Sequence, residues 1–273
     1  MTINQEELEQ LAELGGAEEV LDQTQDMLDS LPELAEGETF TFACHEQVPC
    51  FNRCCAELTL PLTPYDVRRI TEGMEMSTES FIQTYTDKRT FPDTGFPLLL
   101  LKMNSGPGEQ CPFVTLFGCS VYENRPGACR FYPLGRATSP AADGGVTERF
   151  FYVREPHCHG FDEGTQWTAR SWMENQGLAQ YNASNDRYMR LMAMVKASGK
   201  PLDERMLPMI ILSLYQIDKF REFLEARNVW CKLEISDERR KAIMEDKDAA
   251  LEFGYDWMEL VIFGQCPNLV RKA

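Results

Sequence analysis

Basic residues are missing from the first 52 positions of this 273-residue chain, which hold 13 acidic residues and no lysine or arginine. The formal net charge of the whole chain is −16. Sequence-independent binding of nucleic acid depends on lysine and arginine side chains that neutralise phosphates, so the composition argues against this function. We interpret the acidic arm, residues 1–39, either as a solvated helical segment or as a docking segment for a basic protein partner.

Long apolar runs are also missing, and none approaches the roughly 18 residues that a membrane-spanning helix needs. The first ten residues, MTINQEELEQ, show neither the basic stretch nor the apolar stretch of a secretory signal. We therefore expect no membrane association and a cytoplasmic location, where thiols stay reduced. No Walker motif, HExxH motif or nucleophile elbow occurs, so the sequence does not identify catalytic residues.

Cysteine, in contrast, is abundant and clustered, because eight of the ten cysteines fall in one stretch of the chain. These eight are Cys44, Cys50, Cys54, Cys55, Cys111, Cys119, Cys129 and Cys158. Thiolates are soft ligands for zinc and for iron–sulfur clusters, and one site takes about four of them. The eight thiols therefore predict metal ligation, as two four-cysteine sites or as one site with spare thiols. Cys231 and Cys266 stand apart and are expected to be ordinary, partly buried cysteines.

The spacing of the first four cysteines gives a further indication about the metal. Five residues separate Cys44 from Cys50, and three separate Cys50 from Cys54. These spacings match neither a Cys-x2-Cys zinc knuckle nor the bacterial ferredoxin run. Cys54 and Cys55 are adjacent, and in an extended backbone adjacent side chains point to opposite sides. Two such thiolates would fit poorly on one zinc ion, so a polynuclear cluster or two neighbouring sites is expected.

The sequence does not decide the roles of the histidines that flank Cys158 and the arginines that flank Cys129. His157 and His159 surround Cys158, and because thiolates are plentiful we expect these histidines to support the ligands or to lie on the surface. Arg125 and Arg130 flank Cys129. They could donate hydrogen bonds to sulfur atoms or pair with one of the many carboxylates.

Secondary-structure signals predict an α+β fold that is mostly helical. Thr63 followed by Pro64 and Asp66 is typical of a helix start, and Ser77 is expected to cap a second helix. Helices are also predicted before Pro32 and at 166–197, 203–227 and 236–262, strands at 96–103 and 148–155, and a loop at 137–145. These elements suggest an acidic arm at 1–39, a loop-rich cysteine-cluster module at 40–165 and a helical C-terminal region at 166–273 on which that module packs.

From about residue 42 to about residue 162 the chain contains, in order, the segments CHEQVPCFNRCC, LTPYDVRRI, CPFVTLFGCSVYENRPGACRFYPLG and HCHGFDEG. This order resembles that of the YkgJ-type cysteine cluster proteins, a family described as a zinc- or iron-chelating domain with a compact CxxCxxCC-like first group. The third segment carries the most specific part of the resemblance. The resemblance implies that the eight cysteines bind metal, and in the flagellin lysine methylases a similar cysteine domain is linked to an iron–sulfur cluster.

Three functions are consistent with these features. The leading hypothesis is a metalloprotein that binds an iron–sulfur cluster, most simply 4Fe–4S, with a redox or enzymatic role. The first alternative is a structural zinc module that recognises a protein partner, since thiolate-bound zinc contributes folding energy to loop-rich domains. The second alternative is a metal-trafficking protein, which would need accessible thiols.

Overall fold

A computed structural model describes residues 31–140 and 146–272 of the chain. The helices predicted before Pro32 lie outside the described residues, apart from Leu31. Small antiparallel sheets and helices of various lengths make up the described part, which confirms the predicted α+β class. None of the helices in these two ranges is long and apolar enough to cross a membrane.

The strands are short and pair in five small sheets of the described chain, with the orders β1-β9-β8, β10-β2, β11-β12, β3-β5-β4 and β6-β7. The strands are β1 Glu33–Leu34, β2 Thr39–Phe42, β3 Pro61–Leu62, β4 Thr86–Thr90, β5 Pro97–Leu101, β6 Val114–Thr115, β7 Gly118–Cys119, β8 Leu134–Pro140, β9 Val146–Tyr152, β10 Thr165–Thr168, β11 Leu233–Glu234 and β12 Val270–Arg271.

The helices concentrate in the second half of the chain. They are α1 Pro64–Gly73, α2 Thr78–Tyr85, α3 Gly127–Phe131, α4 Ala169–Asn175, α5 Ala179–Ala197, α6 Leu207–Ile210, α7 Ile217–Ala226, α8 Asp237–Glu245 and α9 Lys247–Phe263. A π-helical turn at Ile211–Tyr215 continues α6.

The two predicted helix starts in the first half are confirmed. The Thr63 hydroxyl accepts a hydrogen bond from the backbone N–H of Asp66, and the Asp66 carboxylate accepts one from the backbone N–H of Thr63. This reciprocal arrangement satisfies two backbone donors that would otherwise lack partners at the start of α1. Ser77 caps α2 through its bond from the backbone N–H of Ser80.

The predicted long helices of the C-terminal region are interrupted. Positions 166–168, predicted as helix, belong to strand β10, because they pair with β2. Gly177 has a φ of +64° between α4 and α5, and Asp246 leaves the helical conformation to cap α9. The loop predicted at 137–145 was wrong over Ala137–Pro140, which extends β8 through its pairing with β9.

Two hydrophobic clusters hold the fold together. The main core joins β5, α1 and α2 to the C-terminal helices, with fully buried members such as Leu99, Ile70 and Phe220. It therefore draws on both sides of residue 165, although that domain boundary itself stays a prediction. A smaller aromatic cluster contains Phe42 and Trp172, whose rings meet edge to face 5.6 Å apart.

Gly254 lies where α9 packs against the backbone of the π-helical turn. A Cβ atom added there would collide with the carbonyl oxygen of Ser213. Backbone atoms cannot rotate away, so we expect Gly254→Ala to lower the free energy of unfolding by about 1–3 kcal/mol.

Gly135→Ala is the matched control, because its added Cβ would make ordinary contacts, the nearest at 3.6 Å to Val153. Denaturant unfolding of both variants and of the parent measures the difference. Equal stability of the two variants would show that α9 can move away from the turn.

Candidate metal centre

The structure brings the eight predicted cysteines into one connected region. Cys44 and Cys50 lie in the loop after β2, and Cys54 and Cys55 lie in a 3-10 turn at Arg53–Cys55. Cys111 precedes β6, Cys119 ends β7, Cys129 lies in α3 and Cys158 lies in the turn after β9. The eight cysteines form two sets. The neighbouring residues Cys54 and Cys55 belong to different sets and connect them.

The first set, called here the cavity group, consists of Cys44, Cys50, Cys54 and Cys158. All four line one small cavity of about 10 Å³. Burial, and then repulsion by the other three thiolates, raise the pKa of Cys44 to about 11. Cys44 therefore lies near the other three thiols of this group.

Pairing of β2 with β10 explains why distant cysteines meet at this cavity. Cys44 follows the end of β2 and Cys158 precedes the start of β10, so the antiparallel pairing places these two ends together. The backbone N–H of Ala43 donates to the carbonyl oxygen of Gly160 at 2.9 Å. Gly160 has no room for a side chain, since an added Cβ would lie 2.7 Å from the carbonyl oxygen of Ala43.

Polar groups surround the cavity group. The backbone N–H of His159 donates to the sulfur of Cys50 at 3.1 Å. The Tyr132 hydroxyl lies 3.2 Å from a Glu155 carboxylate oxygen. Burial, followed by hydrogen bonding to Cys158, raises the pKa of Tyr132 well above its ordinary value. Hydrogen bonds to sulfur fix ligand orientation and tune the properties of a bound metal centre.

The second set, called here the hairpin group, consists of Cys55, Cys111, Cys119 and Cys129. Burial raises the pKa of Cys111, whereas hydrogen bonds from the backbone at Phe113 and Val114 lower it. Cys119 shows the same opposition between burial and a backbone hydrogen bond from Val121. Such backbone donors stabilise a thiolate, but burial is the larger influence on both sulfur atoms.

Cys129 completes the hairpin group from the other side. Burial, followed by repulsion from Cys111, raises the pKa of Cys129 to about 12. The residue as a whole is nevertheless exposed. Cys44 is also an exposed residue, so each group contains one exposed cysteine.

The adjacent pair behaves differently from the expectation for an extended backbone. Cys54 and Cys55 lie in the 3-10 turn, and their sulfur atoms are hydrogen-bonded to each other. This bond is the largest influence on both thiols, lowering the pKa of Cys54 and raising that of Cys55. Cys54 lines the cavity, whereas Cys55 is repelled by Cys111 and Cys129, so the pair links the two groups.

The two arginines near Cys129 donate hydrogen bonds to groups other than the sulfur atoms or carboxylates predicted from the sequence. Arg130 donates from Nη1 to the carbonyl oxygen of Gln176 at 2.7 Å and from Nη2 to that of Glu123. Arg125 donates to the Gln176 side chain and to the carbonyl oxygen of Tyr122. Both therefore fix the loop before Cys129, instead of donating to sulfur or pairing with a carboxylate.

Asp66 has a role that the sequence did not indicate. Its carboxylate is buried and accepts from the backbone N–H of Gly127 at 2.7 Å, in addition to its bonds with Thr63. Burial raises the pKa of Asp66, opposed by these hydrogen bonds. Its place at the third position of α1 predicted the bond to Thr63, but no local signal predicted the contact with a loop 61 residues away.

The two remaining cysteines lie away from both groups. The exposed Cys231 donates from its thiol to the carbonyl oxygen of Asn228 at 2.9 Å. Cys266 is buried, with its sulfur 3.7 Å from a carboxylate oxygen of Asp256. The prediction that both are partly buried was wrong, since Cys231 is exposed and Cys266 is buried, but both lie outside the two groups as expected.

The thiols are neighbours but are not arranged around a single point. In the ranges that the structure describes, no three His, Cys, Asp or Glu side chains are placed to hold one metal ion. The assignment of the eight cysteines as ligands therefore stays a prediction. It rests on their number, on their division into two groups of four and on the hydrogen bonds to their sulfur atoms.

Residues 43–159 match the family model CxxCxxCC, described as "Putative zinc- or iron-chelating domain", which confirms the resemblance to the YkgJ-type family. The match supports metal binding by this part of the chain, and its description names zinc and iron alike. No curated protein and no solved structure matches the chain.

Removal of the Asp66 carboxylate should disturb the hairpin group through Cys129. We expect Asp66→Ala to leave the backbone N–H of Gly127 without its buried acceptor, which costs about 1–3 kcal/mol of stability. Helix α3, which begins at Gly127 and carries Cys129, should then shift, and the metal content per folded chain should fall.

Asp248→Ala is the control, because Asp248 pairs with Arg68 of the same helix α1 at 2.7 Å but lies outside the cysteine groups. Metal analysis of the folded fraction, with circular dichroism to check folding, compares the two variants. Full metal content in Asp66→Ala would contradict the positioning role.

Proposed function

We propose that the clustered cysteines hold iron–sulfur centres, most simply 4Fe–4S, that serve a redox or enzymatic role. The observation that carries this proposal is the division of eight thiols into two groups of four. A 4Fe–4S cluster takes four cysteine thiolates, so each group contains enough thiols for one cluster.

The spacing of the thiols favours a cluster over a single ion. Around one zinc ion, four sulfur atoms converge at about 2.3 Å from the metal. In a 4Fe–4S cluster each iron takes one cysteine, so the ligand sulfur atoms lie further apart. Cys54 and Cys55 are adjacent in the chain but belong to different groups, which supports two centres side by side over one shared ion.

The surroundings of the cavity group also suit a redox centre. The backbone N–H of His159 donates a hydrogen bond to the sulfur of Cys50. Phe42 adds apolar surface to the cavity wall. Hydrogen bonds to sulfur and limited access of water are two of the factors that set the potential of an iron–sulfur cluster.

Anaerobic purification tests this proposal directly. We expect a brown protein that contains iron and acid-labile sulfide in equal amounts and whose visible absorption bleaches with dithionite. A colourless protein with stoichiometric zinc would contradict the iron–sulfur assignment.

Single variants test which cysteines hold the metal. Cys129→Ser should lower the metal content, because serine lacks the soft, readily ionised sulfur. Cys231→Ser serves as the control, since Cys231 is also exposed but lies outside both groups.

A zinc module that recognises a protein partner is the second candidate function. The small volume of the cavity favours it, since about 10 Å³ suits one ion better than a cluster of eight atoms. The β6–β7 hairpin also presents Leu116 and Phe117, each 93% exposed, between two cysteines of the hairpin group. Large apolar side chains in such a position are typical of protein interaction sites.

Hydrogen bonds hold the tip of this hairpin in one conformation. The Thr115 hydroxyl donates to the carbonyl oxygen of Gly118 at 2.8 Å and accepts from the backbone N–H of Phe117 at 3.1 Å. The Asn52 side chain donates to the carbonyl oxygen of Thr115 at 3.1 Å. A partner with an apolar pocket could therefore bind a preformed tip, whereas the role of the acidic arm as a docking segment stays a prediction.

A photo-crosslinking amino acid at Phe117 tests partner recognition in cells. We expect one adduct of defined mass, which is lost when Leu116→Ser removes the neighbouring contact or Cys119→Ser removes a metal ligand. The control position is Met189, which is 45% exposed on another part of the surface. The same adducts from both positions, or none from Phe117, would contradict a partner site at the hairpin.

A further inference from the structure

His157 contributes the one imidazole to the wall of the cavity that the four thiols line. Its Nε2 atom is buried and, within the described residues, has no hydrogen-bond partner. A buried polar nitrogen without a partner is unfavourable, and most such atoms in folded proteins are satisfied by protein, water or a bound ion. The nitrogen therefore requires a partner that the cavity supplies.

The neighbouring carboxylate does not provide that partner. Glu155 Oε2 lies 3.2 Å from His157 Nε2, but the two atoms are not aligned as a hydrogen bond. The Tyr132 hydroxyl already donates to the same oxygen at 3.2 Å. His157 Nε2 therefore stays without a hydrogen bond and is available to a metal.

We infer that His157 supplies a nitrogen ligand to the metal of the cavity group, in place of the exposed Cys44. This inference rests on the proposed metal function. It makes His157 a metal ligand, whereas the sequence predicted that it supports the ligands or lies on the surface. The ligand set then consists of His157 with Cys50, Cys54 and Cys158.

Exposure distinguishes Cys44 from the other three thiols. Cys50 is buried and accepts a hydrogen bond from the backbone, and Cys54 and Cys158 are half-buried. Cys44 is exposed, in a loop without regular secondary structure. It is therefore the thiol whose replacement requires the least rearrangement.

Nitrogen ligation changes the properties of the centre. A neutral imidazole in place of a thiolate removes one negative charge from the metal site. If the centre is an iron–sulfur cluster, this change raises its reduction potential, as histidine ligands do where they replace cysteines. If it is zinc, three thiolates and one imidazole form a normal structural set. The cavity group and the hairpin group would then differ in chemistry within one chain.

Paramagnetic NMR of the metal-free protein loaded with Co²⁺ alone tests the inference. Thiolate and imidazole both bind Co²⁺, and a histidine bound to it gives a strongly shifted imidazole N–H signal that disappears in D₂O. We expect this signal in the parent protein and its loss in His157→Gln.

The other two histidines provide matched controls, because the chain contains three in all. His45 and His159 are both exposed, and His159 Nδ1 lies 3.2 Å from an Asp162 carboxylate oxygen. His45→Gln and His159→Gln should keep the signal. Cys44→Ser should also keep it, whereas Cys158→Ser should lose it together with one equivalent of Co²⁺.

The outcomes separate this inference from the metal function. A thiolate-to-cobalt absorption band without the shifted signal, or a signal that survives in His157→Gln, would overturn ligation by His157 and leave metal binding intact. Loss of the signal in Cys44→Ser would overturn the exchange of Cys44 for His157. A protein that shows no thiolate-to-cobalt band would contradict metal binding and with it the inference.

Discussion

The structure of the cysteine region depends on one constraint, which is that its thiols are crowded together in partly buried surroundings. Burial raises the pKa of the thiols on both sides of the cluster, and neighbouring thiolates raise it further. Several thiolates can coexist at such close range only if a cation compensates their charge. The free energy of metal binding is then also free energy of folding for the loops that carry them.

The rest of the fold brings these loops to one place. The hairpin group lies beside the main core, of which Cys111 is a member. The cavity group lies beside the small aromatic cluster, against which Cys158 packs. Cys54 and Cys55 join the two groups, so a bound metal would connect a large helical core with a small aromatic cluster that has few buried residues of its own.

Local features were predictable from the sequence, and long-range contacts were not. The cap at Thr63 depends on residues within one turn of helix, and the buried strand at 97–101 follows from an apolar run. The two-group division of the cysteines depends on β2 pairing with β10 across more than 120 residues, and these strands have no strong pattern of their own. The 3-10 turn at Cys54-Cys55 has no distinctive sequence signal, so the expectation for an extended backbone did not apply there.

Protection of a single thiol by metal tests the central claim that the clustered cysteines form the metal centre. Cys129 and Cys231 are both exposed, but only Cys129 lies in one of the two groups. Iodoacetamide labelling of metal-loaded and metal-free protein, read by mass spectrometry, should show Cys129 protected by metal and Cys231 labelled equally in both states. Equal labelling of Cys129 with and without metal would contradict the claim.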